Sequence, residues 1–170
     1  DARPLARTPR SVPVSAVGLM GELRTLFAAM PEAKARGFNA ARFSFNLKGG
    51  RCERCQGAGV LRVGMDFLPD LSVRCDLCDG ARYEPETLQV KFRGWSIADL
   101  LGMTVDEAIP VLEAIPKARD LLLGLRDVGL GGRPLNNGFA DDQGEYDTSF
   151  TNWAGSYYEK ALTSMIFTES

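Results

Sequence analysis

All four cysteines of this 170-residue chain fall into two Cys-x-x-Cys pairs, Cys52/Cys55 and Cys75/Cys78, with nineteen residues between the pairs. Such pairs suit a disulfide framework, a dithiol redox site or a metal centre. Disulfide scaffolds are usually shorter and denser in cysteine. A thioredoxin-like site needs one pair at the start of a helix, where the dipole lowers the thiol pKa. Two pairs at this separation instead meet the requirement of a structural zinc site. Two intervening residues let one tight turn present both sulfurs to the same ion, and the long gap lets the chain go out and return with the second pair. With no histidine in the sequence, Cys52, Cys55, Cys75 and Cys78 make the whole ligand set for one Zn2+. Four thiolates close the tetrahedron and leave no position for a reacting water, so the centre reads as structural.

The two pairs repeat one another: CERCQGAG and CDLCDGAR share Cys-x-x-Cys-x-Gly-Ala. Gly57 and Gly80 each lie two residues past the second thiol, where a turn folding round the metal calls for positive φ. Zinc with four thiolates carries about −2, and Arg51, Arg54, Arg74 and Arg82 stand nearby in sequence to offset it.

The elements that position these thiols can be read outward from them. Leu61, Val63, Met65 and Phe67 alternate with Arg62, Gly64 and Asp66, and Leu71 and Val73 continue the alternation after Leu68-Pro69-Asp70. This predicts a β-hairpin rooted at the metal, turning at residues 68–70 and reaching roughly 25 Å at about 3.3 Å per residue. Its apolar face either packs on the body or probes a ligand. Upstream, Val17, Met20, Leu23, Leu26 and Phe27 have helical spacing, with Ser15 as N-cap and Pro31 ending the segment. Phe43 to Leu47 and Thr87 to Phe92 read as strands. SIADLLG and TVDEAIPVLEAI each open with a capping box, and Pro110 should kink or break the second. KARDLLLGLRDVGLG reads as a further helix ending in glycines. The fold class is therefore α+β, a small four-cysteine hairpin module set in a mainly helical domain. Its parts are a basic arm and helix over residues 1–48, the zinc module over 49–83, a strand with short helices over 84–131, and an unassigned tail over 132–170. The tail is mostly loop, with a short helix expected over residues 155–166.

Charge divides unevenly along the chain. Asp1 to Arg54 holds ten Lys or Arg against four Asp or Glu, a local +6, whereas the rest is acidic and the whole chain sums to −2. An Arg- and Pro-rich segment, RPLARTPRSVP, reads as an extended arm suited to phosphate contact. There is no phosphate loop and no ABC signature, so no ATP hydrolysis is expected of this chain alone. No apolar run approaches the roughly 20 residues of a membrane span, and no signal peptide is visible. The expected location is cytoplasmic.

The segment RFSFNLKGGRCERCQGAGVLRVGMDFLPDLSVRCDLCDGARYEPETLQVKFRGWSIADLLGMTVDEA, together with RTPRS, EAKARGF and DVGLG, resembles the UvrA family, the damage-sensing ABC-type ATPases of bacterial nucleotide excision repair. The likeness covers Asp1 to about Gly131. It implies an insertion in the C-terminal nucleotide-binding domain that helps clamp and inspect double-stranded DNA. In the parent protein it further implies a homodimer, a UvrB-like partner, and ATP with Mg2+ as cofactor. Cys52, Cys55, Cys75 and Cys78 match the family's zinc ligands, and Arg7 and Arg10 its DNA-backbone contacts. The sequence departs from the family at Asp1 to Ala6 and at Asp66, which suggests a divergent paralogue. A different class shares part of the pattern: DnaJ-type chaperones repeat Cys-x-x-Cys-x-Gly-x-Gly in a zinc region that binds unfolded polypeptide. Those modules carry four repeats, and this chain has two.

Overall fold

The computed structural model describes residues 14, 17–132 and 134–135. Arg7 and Arg10 with the rest of the basic arm, the expected cap Ser15, and residues 136–170 with the helix expected there all lie outside the described residues.

The fold is α+β: short helices around one core, with a two-stranded antiparallel sheet beside them. Helix α1, Leu19–Ala28, starts behind Gly18, whose φ of 81° is a left-handed turn that a side chain would resist. It buries Leu19, Met20, Leu23 and Phe27 at helical spacing. Pro31 does more than end this segment. It opens α2, Pro31–Ala35, at a first-turn position where its missing N–H costs nothing.

The strand expected over Phe43 to Leu47 is not formed. A 3-10 turn, Ala40–Phe43, occupies its start, with the Asn39 side chain accepting from the Ala41 N–H. Phe43 and Phe45 are both buried, so alternation here reports two rings dropped into the core from the 3-10 turn and the turn that follows it, with no ladder partner. The strand expected over Thr87 to Phe92 is also replaced. Pro85 opens a one-turn helix α3, Pro85–Leu88. Phe92 then pairs with Trp95 across Arg93 and Gly94, at φ 51° and 84°, the two positive values of a two-residue hairpin turn.

Helices α4, Ile97–Gly102, and α5, Val105–Val111, open as expected. Ser96 accepts from the Asp99 N–H while Asp99 accepts from the Ser96 N–H, and Thr104 and Glu107 do the same. Pro110 lies in the last turn of α5, which stops one residue later. Helix α6, Pro116–Leu125, runs into a wider turn, Arg126–Leu130, with Gly129 at φ 91°. The core gathers Leu19, Leu23, Phe27, Phe43, Phe45, Tyr83 and the inward residues of α4 to α6.

The capping boxes give a direct test. Burial raises the Asp99 carboxyl, but the bonds from Ser96 and the charge of Lys91 outweigh it and hold the pKa below its ordinary value. A depressed carboxylate contributes stability above its unfolded pKa and loses it as pH falls through the folded one. Ser96→Ala should lower the unfolding free energy by about 1 kcal/mol in denaturant titrations at neutral pH. The deficit should shrink as the titrations are repeated at lower pH.

Candidate metal centre

Strands β1, Val60–Met65, and β2, Leu68–Arg74, leave and re-enter the cysteine loops directly, so the thiols stand at the root of the hairpin. Val60 faces Arg74, Leu61 faces Val73, Arg62 faces Ser72 and Val63 faces Leu71, with an irregularity before Met65 meets Leu68. The turn falls at Asp66 and Phe67, not at residues 68–70 as the sequence suggests. Proline at 69 is tolerated because a two-stranded sheet has only edge strands.

The two cysteine loops repeat each other in backbone as well as in sequence. Gln56, Gly57 and Gly59 have φ of 53°, 82° and 77°, and Asp79, Gly80 and Arg82, each 23 positions later, have 47°, 81° and 71°. The positive φ expected at Gly57 and Gly80 is present. The loops also exchange equivalent bonds, the Cys52 N–H donating to the Arg82 carbonyl at 2.8 Å and the Cys75 N–H to the Gly59 carbonyl at 2.9 Å. Within the loops, Ala58 donates to the Cys55 carbonyl and Ala81 to the Cys78 carbonyl. This approximate two-fold relation brings equivalent sulfurs face to face.

All four sulfurs lie within 4.8 Å of one another. The Cys52 and Cys75 Sγ atoms are 4.0 Å apart, and those of Cys55 and Cys78 are 3.7 Å apart. A tetrahedron of sulfurs at about 2.3 Å from a central zinc has edges of about 3.8 Å, so the donor set has the size and chemistry of a zinc-thiolate site. Cys52, Cys55 and Cys75 are buried, and Cys78 is half-buried.

Backbone N–H groups converge on the sulfurs, as a thiolate cluster requires. Gly59 donates to Cys55 Sγ at 3.2 Å, and at the equivalent place Arg82 donates to Cys78. Burial raises the Cys52 and Cys78 thiols above their ordinary pKa. For Cys75 burial also raises, but the Cys78 and Leu77 N–H groups outweigh it and the net shift is downward.

Of the four arginines near the thiols in sequence, three face carboxylates: Arg51 pairs with Glu53, Arg54 with Asp76, and Arg74 with Asp79. Arg82 is different. It is fully buried, with its guanidinium carbon 5.1 Å from the centre of the Phe45 ring and Nη1 3.4 Å from the Gly57 carbonyl. Phe45 in turn meets Tyr83 edge-on at 6.2 Å, and the Tyr83 hydroxyl donates to the Phe43 carbonyl at 3.0 Å. Arg82 thus joins the first loop, the second loop and the core. The sequence offered only one signal for this role: Arg82 is the residue standing where the repeat has Gly59.

The apolar face of the hairpin is not packed on the body. Val63 and Leu71 are 42% and 40% exposed, and Phe67 at the tip is 99% exposed. The site therefore consists of a buried four-thiol root and a projecting hairpin with one open apolar face. Arg62 and Ser72 pair on its opposite face.

No family model matches the chain. It is 55% identical over 131 residues to UvrABC system protein A of Rhizobium meliloti, which is 77% of this chain and 14% of that protein. Over the same length it is 56% identical to that of Agrobacterium fabrum and 55% to that of a Synechocystis species. Among solved structures it is similar to UvrA2 from Deinococcus radiodurans, with a TM-score of 0.75 and 50% identity over 80% of this chain and 17% of that one. The chain thus spans about one seventh of the length of these curated relatives. Among its described residues, no helix is long and apolar enough to cross a membrane.

Proposed function

With more than half of its matched residues identical to UvrABC system protein A, this chain is a segment of the UvrA family, and we propose that it is the DNA-binding, damage-sensing zinc module of a nucleotide excision repair ATPase. The observation that carries this reading is the four-thiol cluster rooting a hairpin whose apolar face and tip are open to solvent. In this reading Cys52, Cys55, Cys75 and Cys78 hold a structural Zn2+ that supplies a rigid root. The hairpin brings Phe67 against the duplex, and Arg7 and Arg10 contact phosphates. The parent protein supplies ATP and Mg2+ chemistry, dimerises on double-stranded DNA, works with a UvrB-like partner and resides in the cytoplasm.

Duplex binding measured against salt tests the proposal. An arginine bound to phosphate releases counterions, so affinity should fall steeply with salt, and Arg7→Ala with Arg10→Ala should together flatten the log-log slope by about one to two units. Base sequence should matter little, because backbone contacts position a protein without reading base edges. Phe67→Ala should leave the salt slope nearly unchanged while reducing the preference for distorted over intact duplex. Arm variants that bind as tightly and as salt-dependently as the parent would count against the proposal. A chain that ignored DNA and instead suppressed aggregation of an unfolded protein would favour the chaperone-like alternative.

A further inference from the structure

We propose that the four-thiol centre is a site of hydroperoxide modification, at which oxidation joins Cys55 to Cys78 across the two loops and releases the metal. The proposal rests on the zinc reading above and goes beyond it. Two observations carry it. Cys78 is the one member of the cluster that is not buried, so a small oxidant in solvent meets its sulfur first. Of the two sulfur contacts between equivalent cysteines of the loops, Cys55 with Cys78 is the shorter, at 3.7 Å, whereas Cys52 and Cys75 are at 4.0 Å and both buried.

The chemistry balances with a hydroperoxide as the oxidant. The Cys78 sulfur attacks the peroxide, an S–O bond forms, the O–O bond breaks and hydroxide leaves to be protonated to water. The Cys55 thiolate then attacks the Cys78 sulfur, an S–S bond forms and the S–O bond breaks, and the second oxygen leaves as water. Two sulfurs have lost two electrons in all, and one hydrogen peroxide has become two waters. Cys52 and Cys75 remain as two ligands where the cation had four, too few to retain it against a chelator.

The pairing also has a structural consequence specific to this fold. A bond across the approximate two-fold ties the two loops to each other, so the hairpin stays closed at its root while losing the metal. A bond within either Cys-x-x-Cys pair would leave the two loops unlinked.

The test uses the full chain loaded with zinc, treated with increasing hydrogen peroxide, with zinc release followed by a chromogenic chelator and thiols mapped by alkylation and mass spectrometry. The expected result is about one zinc released per disulfide formed, the disulfide being Cys55–Cys78, with Cys78 the first thiol to resist alkylation. Dithiothreitol with added zinc should restore both thiols and metal. A Cys52–Cys55 or Cys75–Cys78 disulfide, retention of zinc while thiols are lost, or direct passage to sulfinate would each overturn the proposal while leaving the zinc reading intact. A preparation that takes up no zinc at all would overturn both.

Discussion

Cys52→Ser and Cys75→Ser are each expected to abolish stoichiometric zinc retention and to damage folding to about the same extent. The two residues are equivalent under the loop repeat: each donates its N–H to the other loop, and their sulfurs face one another at 4.0 Å. Removing either therefore breaks the same tetrahedron at a related corner. A bound structural zinc contributes on the order of 10 kcal/mol to the folded state of small domains at neutral pH, more than most domains have in reserve. Metal analysis of the purified chain should find about one zinc per molecule in the parent and a small fraction of that in either variant. Chelation of the parent should lower its thermal midpoint by more than 10 °C, on the order expected for several kcal/mol lost from a domain of this size. The result that would sink this expectation is a parent whose melting is indifferent to chelator.

The second large effect is expected at Gly57, where two penalties can be separated by three glycines. A Cβ at Gly18 would meet nothing, although φ is 81°, so Gly18→Ala reports the left-handed backbone alone and should cost about 1 kcal/mol. A Cβ at Gly50 would collide with the Arg42 carbonyl at a position with no positive φ. At Gly57 both apply: φ is 82° and the Cβ would collide with the Phe45 carbonyl. The obstacle in each collision is backbone, which cannot rotate away. Gly57→Ala should therefore cost the most of the three, at least about 3 kcal/mol, and should weaken zinc retention because Gly57 follows Cys55 by two residues. Equal losses at Gly18 and Gly57 would show that the loop can move off the core.

The four-thiol cluster was legible in the sequence because its determinants are local. Thiol spacing, the repeated glycines and the alternation of the hairpin are all set within a few residues of one another, and the structure brings the four sulfurs together as that spacing implies. The capping boxes at Ser96 and Thr104 were legible for the same reason. The two strands expected at 43–47 and 87–92 fail because alternation measures burial on one side and says nothing of a partner strand. Phe43 and Phe45 satisfy the period by entering the core, and Val90 is buried beyond a helix that Pro85 starts. The hairpin turn was misplaced because Pro69 and Asp70 are strong turn residues in isolation, while the pairing of Val63 with Leu71 sets the turn nearer Phe67. Arg82 was read as one of four arginines offsetting the charge of a zinc-thiolate centre. Its burial depends on a ring from residue 45 and a carbonyl from residue 57, contacts that no sequence period encodes.

The hairpin, held at one end and open along its apolar face, behaves mechanically as a cantilever whose stiffness is decided at its clamp. With an arm of roughly 20 Å at 3.3 Å per residue, an angular play of about 5° at the root displaces the tip by about 2 Å, enough to blur a contact made by a single ring. The Arg82 guanidinium between the Phe45 ring and the Gly57 carbonyl, together with the paired N–H bonds of Cys52 and Cys75, removes that play from both sides of the clamp. In the proposed reading, the definition of any contact at Phe67 is thus set some 20 Å away, in a buried joint that the tip itself does not touch.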